Sequence, residues 1–190
     1  VGGDGTINEV AHGFHLAGKS ETAMGVVPLG TGSDFIRSIG VPRDPRAALD
    51  FLASTEPSPT DLGVAEFRNH EGRPTSRAFI NIADFGLGGE VVDRANRSPK
   101  WLGSFFTFYV NTVLSLLFYR PKSVRLRFDG NSFDKEITAV IVANGQFFGG
   151  GMRGAPKAVL DDGLLDVILL DAMSPLTIVR NLSKLYGATD

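Results

Sequence analysis

The sequence predicts a two-lobed α+β protein, with a partial α/β lobe over residues 1–58 and a mostly β lobe over residues 59–190. Helix and strand patterns alternate in the first part of the chain, which is typical of a parallel sheet. A Pro57-Ser58-Pro59 run then interrupts the chain, so the boundary is expected near residues 56–61. Strand patterns dominate beyond this run.

In the first lobe, apolar residues at helical spacing predict a helix over residues 6–18 that ends at Gly18. A short apolar strand over residues 23–28 leads into a glycine loop and a short helix over residues 34–39. Asp44 is suited to cap a third helix, because Pro45 fits the first helical position.

In the second lobe, strands are predicted over residues 61–67, 78–83, 124–128, 137–143 and 164–170. Asp129-Gly130 is a turn signal between two of them. An uncharged segment over residues 101–119 interrupts the strands, and its length is borderline for a membrane span. Polar residues recur along it at helical spacing, so an inserted amphipathic or buried helix is favoured over a transmembrane one.

The composition excludes several classes of protein. The formal net charge is −2, which gives no indication of nucleic-acid binding. The chain has no cysteine, so disulfides and thiolate metal sites are excluded. Because the chain opens with Val1 and little of a first strand precedes its glycines, we expect a fragment that lacks part of the first lobe and the end of the second.

The run Gly2–Glu9 (GGDGTINE) carries the clearest functional signal. Glycines let backbone N–H groups face an anion, and the positive end of the following helix dipole favours the same ligand. A phosphate chain is therefore the expected ligand. Asp4 would repel phosphates unless it meets a metal ion, a hydroxyl or a water molecule. The alternative is a glycine turn with a capping aspartate.

A second glycine loop, Pro28–Phe35 (PLGTGSDF), lies between the predicted strand and helix. Loops at the carboxyl ends of strands form the ligand crevice in open α/β sheets. Thr31 offers a hydroxyl to a phosphate or a ribose. Asp34 either caps its helix or contacts the ligand.

Together, these two loops resemble the diacylglycerol kinase catalytic domain, a family that includes bacterial lipid kinases and the sphingosine and ceramide kinases. The resemblance continues at Asn81, Gly86–Gly88, Asn144–Gly151 and Ala155–Asp166, and so covers essentially the whole chain. It implies an α/β nucleotide lobe, related to that of NAD kinases, followed by a β-sandwich lobe.

The resemblance also implies a set of ligand-binding residues. Thr31 would contact the nucleotide, and the ATP phosphates would be bound by Gly3, Asp4, Gly5, Thr6, Ile7, Asn8 and Glu9. Magnesium would be bound by the Asp162 carboxylate and the backbone carbonyls of Val159 and Leu164, a donor set that suits this cation. Considered without the family, Asp161–Gly163 is more typical of a solvated hairpin turn.

The chain departs from the family pattern at two places. Ser33 stands where the family usually has Asn. The bacterial members place a catalytic base in an Asp-Gly-Glu motif near the C-terminus, and no such triplet follows Asp162. Asp4 is therefore the candidate catalytic base within this chain, which we expect to be inactive alone.

The resemblance implies ATP- and Mg²⁺-dependent transfer of the γ-phosphoryl group to a lipid hydroxyl, with diacylglycerol as the expected acceptor and phosphatidic acid as the product. The protein is expected in the cytoplasm or peripherally at the inner face of the membrane, where aromatic residues of segment 101–119 either approach lipid or form core. A homodimer is compatible with the sequence. Two alternatives stay open: an NAD kinase-like enzyme, and a catalytically inactive lipid- or nucleotide-binding module.

Overall fold

The computed structural model describes residues 1–19, 21–97, 119–172 and 177. Within them the chain forms four helices and eight strands. The helices are α1 (Asp4–Leu16), α2 (Asp34–Ser38), α3 (Pro45–Ser54) and α4 (Leu87–Arg97). The strands are β1 (Gly63–Arg68), β2 (Pro74–Phe79), β3 (Ile82–Gly86), β4 (Lys122–Phe128), β5 (Asn131–Ala143), β6 (Phe147–Phe148), β7 (Met152–Arg153) and β8 (Asp166–Asp171).

The chain divides into two compact units that do not follow the predicted boundary between residues 58 and 59. Apart from the last two residues, the first unit comprises Val1–Ala83 and Ala143–Asp166, and the second comprises Asp84–Val142 and Val167–Ala188. The difference arises because β1 and β2 pair with each other and β2 packs against α1. The first unit therefore includes strands that the sequence pattern had grouped with the second lobe.

The first unit is built around one apolar core. Ile7 and Ala11 lie one turn apart on α1, so both reach the same buried face. They pack with Phe35 and Ile36 of α2 and with other buried residues, which are Val26, Val41, Ala48 and Ile80. The core therefore fixes α1 and α2 in one unit.

The ends of the helices in the first lobe follow local chemistry. Asp44 Oδ1 accepts hydrogen bonds from the backbone N–H groups of Arg46 at 3.1 Å and Ala47 at 2.9 Å, with Pro45 in the first turn. This confirms the predicted cap of α3. The other two predicted helices are also present, with ends that differ from the prediction by no more than two residues.

Two polar side chains of α1 satisfy backbone groups at the end of β2. The N–H of Ala78 donates to His12 Nδ1, and the N–H of Ile80 donates to Asn8 Oδ1, both at 3.1 Å. A buried N–H group without an acceptor would lower the stability of the fold, and these two side chains supply the acceptors. His12 is therefore a structural residue.

In the second unit, the sheet has the order β3-β5-β4, and β8 also pairs with β5. Strands β4 and β5 form an antiparallel hairpin in which Lys122 lies opposite Ile137 and Phe128 lies opposite Asn131. Asp129 and Gly130 connect them with φ values of 49° and 74°. Positive φ at both central residues is typical of a tight hairpin turn, which confirms the predicted turn.

Two predicted strands differ from the structure. Residues 23–28 form only an isolated parallel bridge between Pro28 and Gly2. The predicted strand at 78–83 is divided into the end of β2 and the start of β3, because the carbonyl of Asn81 accepts the N–H groups of Asn144 and Gly145 instead of a sheet partner.

The predicted apolar helix at residues 101–119 lies outside the described residues, apart from Tyr119. Among the helices that the structure describes, none combines the length and the apolar character needed to cross a bilayer.

Candidate functional site

The two glycine loops of the sequence lie in direct contact. The N–H of Gly2 donates to the carbonyl of Val27 at 3.1 Å, and the N–H of Leu29 donates to the carbonyl of Gly2 at 3.0 Å. A Cβ atom placed on Gly30 would lie only 2.6 Å from the Cα of Gly3. Gly30 therefore needs to be glycine, because a side chain there would separate the loops, whereas a Cβ atom on Gly3 would make a tight contact of 3.1 Å with the Cα of Gly30.

Asp4 links the first loop to the helix that follows the second. Its Oδ1 accepts the N–H groups of Asp34 at 2.9 Å and Phe35 at 3.0 Å. A Cβ atom on Gly32 would lie 2.7 Å from Asp4 Oδ2, so the carboxylate also lies against the second loop. Asp4 thus has a structural role in addition to its predicted one. Its Oδ1 accepts the N–H groups of Asp34 and Phe35, and neither of these groups donates to its Oδ2.

Ser33 stands where the family usually has Asn. Its φ is 55°, in the left-handed region, and its side chain is buried, with Oγ donating to the carbonyl of Gly30 at 3.1 Å. Asn adopts left-handed conformations more readily than most residues. The family preference at this position is therefore explained by the backbone of the loop.

The predicted phosphate-binding run contributes mainly backbone. Gly3 is the N-cap of α1, while Gly5, Thr6 and Glu9 are exposed. The side chain of Ile7 is buried in the core, and the carboxamide oxygen of Asn8 is bonded to the N–H of Ile80. The side chain of Ile7 therefore faces protein and its N–H donates to the carbonyl of Gly3 at 3.0 Å, so Ile7 is a structural residue rather than a ligand contact.

Thr31, the residue predicted to contact the nucleotide, lies exposed on the second loop. Its carbonyl accepts a long hydrogen bond of 3.4 Å from Nη2 of Arg43. The hydroxyl of Thr31 is thus presented by a loop whose backbone is fixed on one side by Gly3 and on the other by Asp4.

A third glycine loop, Gly149–Gly151, packs against α2. All three residues have positive φ, at 63°, 84° and 112°. The N–H of Gly150 donates to Asp34 Oδ2 at 2.9 Å. A Cβ atom on Gly151 would lie 3.0 Å from Arg37 Nη1, so the guanidinium lies directly against this glycine. One face of α2 therefore holds the third loop, which sequence patterns alone had not connected to the first two.

Asp34 is an unusual carboxylate for a helix start. It is 7% exposed, and its Oδ1 has no hydrogen-bond partner in the part of the chain that the structure describes. Burial raises the pKa of Asp34, and the nearby charge of Asp4 adds to this, whereas the hydrogen bond from Gly150 and the charge of Arg37 act in the opposite direction. The folded chain therefore holds the proton of Asp34 to a higher pH than the unfolded chain does.

The predicted cation segment, residues 159–164, is exposed at its three predicted ligands. Asp162 Oδ1 accepts the N–H of Leu164 at 2.9 Å, and Asp61 Oδ2 accepts the N–H of Gly163 at 2.7 Å. The carboxylates of Asp61 and Asp162 therefore both lie at this turn. Asp61 was not among the predicted site residues, because nothing in its local sequence indicates a contact about a hundred residues away.

The donor set of this segment fits magnesium. Carboxylate and carbonyl oxygens are the ligands that Mg²⁺ prefers, and it commonly keeps several waters. The described ranges hold no cluster of three or more His, Cys, Asp or Glu side chains suited to a metal ion. Magnesium here would be bound by Asp162 together with the carbonyls of Val159 and Leu164, as the resemblance implies.

Asn144 connects the cation segment to the core of the first unit. Its side chain is 1% exposed, and Nδ2 donates to the carbonyls of Asp61 at 2.8 Å and Ile80 at 2.7 Å. One carboxamide thus satisfies two carbonyls from different segments. The motif at residues 144–151 resembled the family in sequence, and this bond supplies a physical reason for its first residue.

Comparison with known proteins identifies the class of protein to which the chain belongs. Residues 1–65 match the family model of the diacylglycerol kinase catalytic domain, and residues 81–189 match that of the YegS C-terminal NAD kinase beta sandwich-like domain. The chain belongs to the family of the YegS C-terminal NAD kinase beta sandwich-like domain, whose model matches more than half of its residues, and it also matches the diacylglycerol kinase catalytic domain. More particularly, it combines that domain with a YegS-type C-terminal domain, which confirms the predicted order of an α/β lobe and a β-sandwich lobe.

Individual relatives agree with this assignment. The chain is 35% identical over 188 residues to "Probable lipid kinase YegS-like" of Pseudomonas putida, covering 98% of this chain and 59% of the relative. It is 32% identical over 181 residues to "Diacylglycerol kinase" of Bacillus subtilis, covering 95% and 56%. A crystal structure of a diacylglycerol kinase from Bacillus anthracis has the same fold, with a TM-score of 0.66 at 24% identity, covering 96% and 56%. The chain thus spans between 56% and 59% of the length of these relatives.

Proposed function

We propose that the protein is an ATP-dependent lipid kinase that transfers the γ-phosphoryl group to a lipid hydroxyl, with diacylglycerol as the acceptor and phosphatidic acid as the product. The observation that carries this proposal is the contact between the two glycine loops, held together by the bonds from Asp4 to α2. Family membership and the names of the relatives support the same reaction class.

Nucleotide binding is assigned to the loops of the first unit. The N-terminal turn of α1 presents unpaired backbone N–H groups from Gly3 to Thr6, and the helix dipole makes this end attractive to phosphates. The exposed hydroxyl of Thr31 would then contact the nucleotide from the second loop.

Phosphoryl transfer requires mainly positioning and charge neutralisation. Magnesium bound at Asp162, Val159 and Leu164 would supply positive charge that offsets the charge of the phosphates. The oxygen of the lipid hydroxyl forms a bond to the γ-phosphorus, the bond between that phosphorus and the ADP oxygen breaks, and a carboxylate accepts the hydroxyl proton. Within this chain, Oδ2 of Asp4 is the candidate acceptor.

The acceptor lipid places the reaction at a membrane surface. The protein would act as a peripheral protein at the inner face of the cytoplasmic membrane, without a spanning segment and without nucleic acid as a partner. A homodimer is compatible with this arrangement.

The test of the reaction class is an assay of the full-length protein with labelled ATP and Mg²⁺ in mixed micelles, because this chain is expected to be inactive alone. Diacylglycerol, a sphingoid base and ceramide are offered as lipid acceptors, and NAD is offered separately. Labelled phosphatidic acid is the expected product. Labelled NADP would instead support an NAD kinase, an alternative favoured by the description of the C-terminal domain as NAD kinase-like. ATP binding without any labelled product would indicate an inactive binding module.

The role of Asp4 is tested by the substitution Asp4→Asn in the full-length protein. Asn keeps a carbonyl oxygen that can accept from the N–H groups of Asp34 and Phe35, but it cannot accept the substrate proton. We expect kcat to fall by about 10²- to 10⁴-fold, the usual contribution of a general base, while the free energy of unfolding changes little. The measurement is steady-state kinetics together with urea denaturation.

The matched control is Asp44→Asn, which changes the same type of residue in the same capping role at α3. We expect it to leave kcat near the wild-type value. If Asp4→Asn retained near-normal turnover, Asp4 would be a capping residue and the base would lie elsewhere.

A further inference from the structure

Gln146 lies between β5 and β6 and is bonded to two other segments of the first unit, α2 and residues 153–158. Its backbone N–H donates to Ser38 Oγ, in the last turn of α2, at 3.1 Å. Its carbonyl accepts the N–H of Ala155 at 3.2 Å. The contact with Ser38 is not predicted from the sequence, because Ser38 lies more than a hundred residues away.

The carboxamide of Gln146 is held on both sides. Nε2 donates to the carbonyl of Ala158 at 3.0 Å. Oε1 accepts two hydrogen bonds from Arg153, from Nε at 3.1 Å and from Nη2 at 3.0 Å. Because the planar guanidinium of Arg153 fixes one end of the carboxamide, the other end points at Ala158 in one orientation.

Ala158 immediately precedes Val159, whose carbonyl is one of the proposed magnesium ligands. On the other side of Val159, the carbonyl of Leu160 accepts the N–H of Asp61 at 2.6 Å. The two carbonyls that flank that of Val159 are therefore both held by hydrogen bonds, one by Gln146 and one by Asp61. The side chain of Val159 is 47% exposed, so it contributes little packing that could fix the peptide instead.

We propose that Gln146 is a positioning residue for the cation site: it holds the carbonyl of Ala158 so that the next carbonyl, that of Val159, is presented to Mg²⁺. Through Ser38 it also ties this segment to α2, whose first turn is capped by Asp4. The inference rests on the magnesium site of the proposed function. Groups that orient metal ligands from behind commonly contribute about 10- to 100-fold to metal affinity.

The experiment compares Mg²⁺ binding by wild type and variants of the protein without nucleotide, measured by isothermal titration calorimetry. Gln146→Met keeps the length and neutrality of the side chain but removes the bond to Ala158. We expect its Mg²⁺ dissociation constant to rise by about 10-fold or more. Arg153→Met is a graded comparison, because it removes the group that orients the carboxamide of Gln146 but leaves the bond from Nε2 to Ala158. We expect it to change the dissociation constant by less than about 3-fold.

A second substitution protects the test against misfolding. Ser38→Ala frees the backbone N–H of Gln146 and keeps its side chain, so we expect a smaller rise in the Mg²⁺ dissociation constant, of about 3-fold. Urea denaturation of each variant separates loss of stability from loss of affinity. A Gln146→Met protein that is less stable but binds Mg²⁺ as wild type does would overturn the positioning role.

Asp162→Asn distinguishes failure of the inference from failure of the site. If Asp162→Asn removes Mg²⁺ binding and Gln146→Met does not weaken it, the cation site stands and the role of Gln146 is wrong. If Asp162→Asn has no effect, the proposed site is wrong and the inference falls with it. The lipid-kinase assay is independent of both outcomes.

Discussion

At the scale of single residues, the structure shows that the carboxylates of Asp4 and Asp34 each accept a backbone N–H group from another segment of the chain. Asp4 accepts the N–H of Asp34, and Asp34 in turn accepts the N–H of Gly150. The sequence predicted a capping or a ligand-binding role for each carboxylate. It could not show that the helix capped by Asp4 begins thirty residues later, because a contact of that range leaves no local pattern.

The raised pKa of Asp34 makes a prediction about pH. The unfolded chain releases this proton near the ordinary value of about 3.9, whereas the folded chain retains it to higher pH. Stability should therefore fall as pH rises from about 4 to the raised pKa of Asp34, and the penalty should persist above it. Asp34→Asn keeps an acceptor for Gly150 and removes this penalty. Urea denaturation across pH should give a stability difference, variant minus wild type, that grows through this window and then levels off.

The control for this measurement is Asp50→Asn, at an exposed position of α3. Its pH profile should run parallel to that of wild type. A parallel profile for Asp34→Asn as well would show that burial of Asp34 carries no proton-linked cost.

Asn144 gives a second prediction for a single side chain. Asn144→Ala would leave the carbonyls of Asp61 and Ile80 without their donor in a buried site. Since each unpaired buried group costs about 1–3 kcal/mol, we expect the free energy of unfolding to fall by about 2–4 kcal/mol. Chemical denaturation measures it.

Asn131→Ala is the comparison for Asn144, because Asn131 is exposed and its side chain donates to the nearby carbonyl of Asp129. We expect a change of about 0.5 kcal/mol or less, as for most surface substitutions. Equal losses in the two variants would contradict the assigned role of Asn144.

At the scale of helices and strands, the sequence predicted the features that depend on neighbouring residues. The three helices of the first lobe and the hairpin turn at Asp129-Gly130 depend on periodicity, capping and turn residues, and all were predicted from the sequence. The break between β2 and β3 was not predicted. It depends on the carbonyl of Asn81 pairing with residues 144 and 145, which lie far along the chain.

Helix α1 offers a prediction at this scale. Gly13 lies in its interior at an exposed position, and a Cβ atom there would meet nothing within 4 Å. Replacing a helical glycine by alanine reduces the entropy lost on folding. We therefore expect Gly13→Ala to raise the free energy of unfolding by about 0.5–1 kcal/mol, measured by chemical denaturation. A fall in the free energy of unfolding would contradict the open space found around Gly13.

At the scale of the whole molecule, the first unit takes residues from two distant parts of the chain. Ala143–Asp166 belongs to it together with Val1–Ala83. The predicted boundary at residues 58 and 59 was drawn from a change of pattern along the sequence. Such a change cannot reveal that a later segment folds back, because compactness depends on contacts and periodicity reports only local structure.

This organisation predicts that residues 1–58 do not fold alone. The fragment lacks Ile80 of the core and the backbone N–H groups that donate to Asn8 and His12. It also lacks the third glycine loop, which is bonded to α2. We expect circular dichroism and proton NMR of the isolated fragment to show a largely unfolded chain, whereas residues 1–166 should give dispersed spectra. A cooperative thermal transition in the short fragment would contradict this.

The contact between Gly3 and Gly30 has a consequence for how this protein can change over time. Because the space that either Cβ would need is filled by the backbone of the other loop, a larger residue at one position is not relieved by any substitution at its neighbour. Gly30 is therefore the less replaceable of the two, because its Cβ would lie 2.6 Å from the Cα of Gly3, whereas a Cβ on Gly3 would lie 3.1 Å from the Cα of Gly30. Drift around this contact must proceed in the residues that flank the two loops, while Gly30 itself stays fixed.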